Sequence, residues 1–388
     1  MSLDPLKKEF RSRYGAGYTH IFYCPGRINL IGEHIDYNGG KVMPCAINRG
    51  TWLAVRINDD PVFRFQCLNF PETAELEIRD SYKAKNKAWY NYPLGVINEF
   101  LKKGNKLKGL DMLFYGNIPI GAGLSSSASI EVLMAETLNQ LFGFGHSGKE
   151  LALIGQAAEN LFVGVNCGIM DQFAVANGKK DQVLMLDCET LDYEYYPFNL
   201  KNQGLVVINT NKPRKLAESK YNERFSECRQ ALAILQHSLP VNNLCDIHPA
   251  QFDQYAATIQ DPILLKRARH VITEYARVKD ATIALQTDDL VVLGKLMYAS
   301  HRSLMEDYEV SCPELDTIVE FCRDFRGCYG ARMTGAGFGG CAIALIDRQR
   351  FEEFSKELTA FYSGRIGYAP EVFLTGAEEG ARLLEVQN

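Results

Sequence analysis

The sequence predicts an α/β protein built as two domains, and three observations carry that reading. At 388 residues the chain exceeds the usual reach of one hydrophobic core, so it divides into two domains, or at most three. Segments alternating apolar with polar residues, as strands do, are interleaved with segments of helical apolar spacing. A glycine-rich loop then runs straight into a helix start at residues 117–131, NIPIGAGLSSSASIE. Gly121 and Gly123 let the backbone bend tightly and approach a ligand with no Cβ in the way. Unpaired N–H groups and the positive end of the helix dipole gather where Ser125, Ser126 and Ser127 open the helix, a setting suited to a nucleotide phosphate. An ordinary serine cap after a turn would carry the same letters.

Composition narrows the class. Apolar residues make up 46% and charged residues 23%, as in ordinary globular proteins. A net charge of −5, with no Lys/Arg run, excludes a basic footprint for nucleic acid. Residues 1–14 lack the apolar stretch of a secretory signal, and no run approaches a membrane span. The eleven cysteines include no C-x-x-C pair, which points to reduced thiols and a cytoplasmic protein rather than a disulfide framework or zinc site.

Taken in order, residues 24–40, CPGRINLIGEHIDYNGG, form a glycine-punctuated loop dense in polar groups. Glu33, His34 and Asp36 stand too close together to share one helix face. Carboxylates that accept from hydroxyls, beside an imidazole that donates or accepts, suit a polyol. A metal site there would need partners that the neighbouring sequence lacks. Residues 42–57 and 62–76 read as strands of one sheet. Residues 88–102 read as a helix carrying Trp89 and Tyr92 on one side, as core aromatics or as a platform for adenine. A short strand at 110–115 leads into the glycine loop. Residues 149–162 read as a helix with Glu159 among apolar neighbours. In residues 165–177, VNCGIMDQFAVAN, Asp171 is either a helix cap or a carboxylate beside a reacting hydroxyl. Strands resume at 183–186 and 204–209. Residues 216–229 read as a charged, exposed helix in which Tyr221 looks ordinary. Residues 245–310 are mainly helical.

Two nucleotide-binding patterns are decoys. GFGHSGK at 143–149 satisfies most of the P-loop pattern, but Glu150 stands where the metal-binding hydroxyl belongs, and a helix rather than a strand precedes it. GAGFGG at 335–340 fits a dinucleotide fingerprint, yet a strand-like CAIALI follows where a helix is required.

GRINLIGEHIDYNGG at 26–40, IPIGAGLSSSAS at 118–129 and MTGAGFGG at 333–340, in that order, resemble the galactokinase branch of the superfamily of small-molecule kinases that includes homoserine, mevalonate and phosphomevalonate kinases. CGIMDQF at 167–173, the Lys220-Tyr221 region and HRSLMEDYEVSCPELD at 301–316 extend the resemblance over nearly the whole chain. It implies a two-domain GHMP-kinase-like fold with the active site in the interdomain cleft, residues 1–198 forming the N-terminal and 199–388 the C-terminal domain. It also implies a left-handed β-α-β crossover in the N-terminal half, against the usual rule.

The implied reaction is ATP-dependent phosphorylation of the C1 hydroxyl of α-D-galactose, the first committed step of galactose use. Arg27, Glu33, His34, Asp36, Gly168, Asp171 and Tyr221 fall where the family holds the sugar. The backbone of Gly121, Ala122, Gly123, Leu124, Ser125 and Ser126 would surround the phosphates, Ser127 and Glu159 would hold Mg²⁺, and Trp89 and Tyr92 would lie near adenine. Asp171 would accept the proton of the anomeric hydroxyl, or orient it, and Arg27 would offset charge on the carboxylate and the transferring group. The family's members are usually monomeric. The competing expectations are a kinase for N-acetylgalactosamine or arabinose, a mevalonate- or homoserine-type kinase, and a galactose and ATP sensor without catalysis. The complete serine run argues against the last, because some fungal regulatory relatives lack two residues there.

Overall fold

The computed structural model describes residues 3–212 and 217–387, with backbone alone for 217–219. The first half runs α1 (Asp4–Tyr14), β1 (His20–Asn29), β2 (Lys41–Val42), β3 (Pro44–Ile57), β4 (Val62–Cys67), β5 (Ala74–Glu77), α2 (Asn91–Lys102) and β6 (Leu110–Gly116). It continues through α3 (Ser126–Phe142), α4 (Gly148–Ala157), a π-helical segment (Ala158–Val163), α5 (Met170–Asn177), β7 (Gln182–Asp187) and β8 (Tyr193–Pro197). The second half runs β9 (Gln203–Asn209), α6 (Ala217–Gln236), α7 (Pro249–Tyr255), α8 (Pro262–Gln286), α9 (Leu290–Glu306) and α10 (Pro313–Asp324). β10 (Cys328–Thr334), β11 (Cys341–Asp347), α11 (Phe351–Ile366), β12 (Glu371–Thr375) and β13 (Arg382–Val386) complete it.

A six-stranded sheet has the order β13-β1-β3-β6-β4-β5, a four-stranded sheet β10-β11-β9-β12, and a small third sheet β2-β7-β8. Among the described strands β4 and β6 are the one parallel pair, joined through β5 and α2 as parallel neighbours require. β13 pairs with β1, so the end of the chain returns to the first sheet. One face of that sheet buries Phe22, Leu53, Phe65 and Met112 beneath Val132 and Leu133 of α3 and Leu94 and Ile97 of α2. The other face carries α1 through Leu6 and Phe10. The largest core joins the remaining two sheets to α6 and α8–α11, and draws in Ile28 from the end of β1 with Leu30 and Ile31 just after it. That shared core places the loop after β1 against both halves.

Several boundaries differ from the sequence reading, each for a local reason. Residues 62–76 split into β4 and β5, and Val42 belongs to β2 of the small sheet rather than to β3. The helix expected from 88 starts at Asn91, so Trp89 precedes it in a turn where its indole N–H donates to the Glu72 carbonyl at 2.9 Å. The P-loop look-alike is the start of α4. Ser147 caps the helix and Glu150 reaches back to its backbone N–H at 2.8 Å, a reciprocal capping box that needs an acid where a P-loop has a hydroxyl. The helix expected from 216 begins at Ala217, and Leu216 lies outside the described residues. It is less exposed than its charge suggests, since Arg224 and Cys228 are buried. Eight of the eleven cysteines are buried, in keeping with their reading as core thiols.

Candidate active site

The site begins at an irregularity in β1. The β1–β3 register shifts between Pro25 and Arg27, and such a bulge re-aims the side chain beside it. Gly26 occupies the gap: a Cβ there would lie 2.5 Å from the Leu124 carbonyl oxygen. The glycine loop therefore packs directly on the strand, and the Arg27 N–H donates to that same carbonyl at 3.2 Å. The Arg27 guanidinium forks onto Asp171 (Nε to Oδ1 at 2.9 Å, Nη2 to Oδ2 at 2.7 Å) and donates through Nη1 to the Gly123 carbonyl at 2.7 Å. Arg27 is buried, while Asp171, in the first turn of α5, keeps 30% of its side chain exposed.

The glycine loop resolves the question of the serine cap. Ser125 stands at the N-cap of α3 with φ 63°, a left-handed conformation unusual for serine, and its hydroxyl caps nothing. It donates instead to Asp171 Oδ2 at 2.5 Å. The first N–H groups of α3 therefore face outward uncapped and with no acid in the first turn, as an anion site requires. Gly121 and Gly123, both at φ 73°, make the turn that brings the loop there.

A cavity of about 250 Å³ opens beside this pair, lined by Arg27, Glu33, His34, Asp36, Gly168, Asp171 and Tyr221. Every residue assigned to the sugar is thus in one place. Glu33 accepts from Asn29 Nδ2 at 2.8 Å and from the Gly335 N–H at 2.6 Å. Burial pushes its carboxyl up, and Arg332 opposes that. Burial and then the charge of Glu33 push Asp36 up to about 7. A Cβ on Gly168 would come within 3.3 Å of Asp36, so the glycine leaves that carboxylate room. Tyr221 packs against His34, ring centroids 5.7 Å apart.

His34 behaves differently from a free sugar-binding imidazole. Its Nε2 lies 3.2 Å from the Ala336 carbonyl and its Nδ1 2.9 Å from the Tyr37 hydroxyl. A carbonyl only accepts, so Nε2 donates and Nδ1 accepts from Tyr37. Burial, then His270, lower its pKa to about 3, so the ring stays neutral. Both nitrogens are occupied within the protein, and what His34 offers the cavity is the edge or face of its ring.

A second cavity lies on the other side of the loop, lined by Trp89, Tyr92, Phe70, Asn69, Ser126 and Ser127 among others. Trp89 and Tyr92 are half-buried there, able to face a flat ring and also to support the core. The Ser127 hydroxyl lies near Glu159, which sits in the π-helical segment, and opposes the rise of its carboxyl. Burial raises the Glu159 carboxyl. Gln172 Nε2 donates both to it at 2.7 Å and to the fully buried Glu131 at 3.1 Å, whose Oε1 has no hydrogen-bond partner among the described residues. A hydroxyl and a carboxylate side by side, with surplus acid behind them, fit a hard cation that takes its other ligands from phosphate and water.

Asn166, Asn222 and Ala336 also line the first cavity, and Gln172 and Glu131 back Glu159; the sequence reading passed over all of them. The signal at Glu131 was an acid on the apolar side of a helix. At Ser125 there was none beyond the serine run.

The galactokinase galactose-binding signature matches residues 8–57, the N-terminal domain of GHMP kinases residues 91–179, and their C-terminal domain residues 281–364. The galactokinase of Clostridium tetani is 48% identical over 381 residues, covering 98% of this chain and 97% of its own. That of Lactiplantibacillus plantarum is 47% identical over 387 residues, 99% of this chain and 100% of its own. The structure of Lactococcus lactis galactokinase complexed with galactose superposes with a TM-score of 0.93 at 41% identity, over 98% of this chain and 100% of that one. The mevalonate kinase of Methanococcus jannaschii, at 20% identity and a TM-score of 0.70 over 94% of this chain and 99% of that one, shares the fold. With both GHMP-kinase domains matched and relatives aligned from end to end, the chain belongs to the galactokinase family of the GHMP kinases.

Proposed function

We propose that this protein transfers the γ-phosphoryl group of ATP to the C1 hydroxyl of α-D-galactose, giving galactose 1-phosphate and ADP. The observation that carries the proposal is the position of Asp171: it lines the sugar-sized cavity and is hydrogen-bonded from the glycine loop, so acceptor hydroxyl and phosphate are brought to one carboxylate.

Phosphoryl transfer depends mostly on positioning and charge stabilisation. Arg27 Nε occupies one site on Oδ1, while Arg27 Nη2 and Ser125 Oγ both sit on Oδ2. A carboxylate offers about four acceptor sites. Oδ1 is therefore the oxygen left to take the anomeric hydroxyl and, as the bond to phosphorus forms, its proton. Glu33 and Asp36 accept from other hydroxyls of the ring, Gly168 gives it room, and Tyr221 and His34 pack against it. The amides of residues 121–126 receive the phosphates, and Trp89 and Tyr92 flank the adenine. Ser127 and Glu159 would hold Mg²⁺, which neutralises phosphate charge when bound. On this reading residues 1–198 supply the loops to both ligands and residues 199–388 close the sugar side, with β13 returning to the first sheet.

The test is ADP release with Mg·ATP and galactose, 2-deoxygalactose, N-acetylgalactosamine, arabinose and glucose in turn. Galactose turned over well above the others is the expected result. Turnover confined to N-acetylgalactosamine or arabinose would keep the mechanism and change the substrate. Galactose binding without any turnover would make the protein a sensor.

A further inference from the structure

Arg332 of β10 lies beneath the sugar cavity, fully buried. Its Nη1 donates to the carbonyls of Asn29 and Leu30 at 3.1 and 3.2 Å and stands 3.5 Å from Glu33 Oε1. Its Nε and Nη2 have no hydrogen-bond partner among the described residues. A buried guanidinium with unpaired donors is a poor stabilising device, and an apolar side chain of similar volume usually serves a core as well or better. Its placement serves something else. The turn that presents Glu33 is held from below by the second half of the chain: Glu274 of α8 accepts from the Gly32 N–H at 3.0 Å, and His270 lies 3.1 Å from the Glu33 carbonyl. Within that frame Arg332 is the cation aimed at the Glu33 carboxylate.

We propose that Arg332 is a positioning residue for sugar recognition. It acts through Glu33, holding the carboxylate charged and aimed into the cavity before the sugar arrives, and it touches neither the sugar nor the nucleotide. The inference rests on the reading of this cavity as the galactose site.

The experiment compares the full chain with Arg332→Met, Glu33→Gln and the double variant, measuring galactose affinity by calorimetry and steady-state kinetics for both substrates. Arg332→Met is expected to weaken galactose binding roughly tenfold or more, the scale of a lost hydrogen bond to a charged group. The KM for ATP, and kcat at saturating galactose, are expected to stay near those of the unmodified chain. The double variant is expected to bind galactose no more weakly than Glu33→Gln alone, because coupled residues are not additive. If Arg332→Met does not fold, Arg332→Lys, which keeps the charge and loses the planar guanidinium that places Nη1 between two carbonyls and Glu33, carries the same comparison with a smaller loss. Unchanged galactose affinity overturns the inference. So does a penalty that adds in full to that of Glu33→Gln, or one shared equally by ATP. Failure of the unmodified chain to bind galactose would overturn the sugar reading itself, and this inference with it.

Discussion

Ser125 donates its hydroxyl to Asp171 across 2.5 Å, from a left-handed backbone conformation that serine seldom adopts. The contact joins the glycine loop to the Asp171 carboxylate beside the Arg27 bridge to the Gly123 carbonyl, and on the proposed reading it aligns the phosphate side of the site with the acceptor side. Replacement by glycine keeps the backbone conformation and removes only the hydroxyl. Ser125→Gly is expected to lower kcat roughly 10- to 100-fold, the scale of a hydrogen bond to a charged group. Ser125→Ala should show the same kinetic loss and be about 1–2 kcal/mol less stable than Ser125→Gly, because alanine, like the serine it replaces, carries the left-handed cost that glycine avoids. Wild-type kcat in the glycine variant would contradict the role given to this contact.

Asp36 should make sugar binding depend on pH. Burial, then Glu33, raise its carboxyl to about 7. A raised carboxyl is neutral below that value and charged above it, and hydroxyl donors bind the charged form better. The KM for galactose is therefore expected to rise as pH falls through about 7, with the KM for ATP nearly flat. By linkage, the ligand-free chain loses stability as pH rises from the ordinary carboxylate value of 3.8 to about 7, because in that window the unfolded chain gives up the proton that the folded one keeps, and the loss is complete above it. Asp36→Asn should bind galactose more weakly and without this pH dependence. A variant that retained it would assign the titration elsewhere.

Glu159 is expected to set the metal requirement. In Glu159→Gln the concentration of Mg²⁺ for half-maximal activity should rise several-fold, with galactose affinity unchanged. Titration of activity with Mg²⁺ at fixed ATP measures this, and an unaltered curve would remove Glu159 from the metal site.

Gly26 tests how tightly the loop is seated on β1. Its Cβ would fall 2.5 Å from a backbone oxygen that has no rotamer to escape into. Gly26→Ala should cost about 1–3 kcal/mol in urea unfolding, as overpacking does. An unchanged midpoint would show that the loop yields.

Much of this was legible in the sequence because it is written locally. Two glycines before a serine run specify a loop and a helix start, and the ordered motifs led to the family. The Ser147 capping box could be told from a P-loop by Glu150 alone. What was not legible depends on contacts between distant residues. Arg27 and Asp171 are separated by 144 positions, and only the resemblance paired them. Tyr221 looked ordinary because its helix is charged along its length, and its exposure is decided by the loop at 33–37 that packs against it. Trp89 was read into a helix by its apolar neighbours, but the chain turns there first. Both nitrogens of His34 are taken by Tyr37 and Ala336, and the second partner lies 302 positions away. Arg332 is one basic residue in a short strand, and nothing in its neighbours announces that it ends up beneath Glu33.

On the proposed function, Asp171, held by Arg27 and Ser125, receives the sugar hydroxyl that attacks ATP. The most direct measurement is galactose-dependent ADP release by Asp171→Ala, together with ATP binding by calorimetry. A kcat lowered roughly 10²- to 10⁴-fold, the usual contribution of a general base, is expected, with ATP affinity nearly intact. Ordinary turnover in the alanine protein would contradict it.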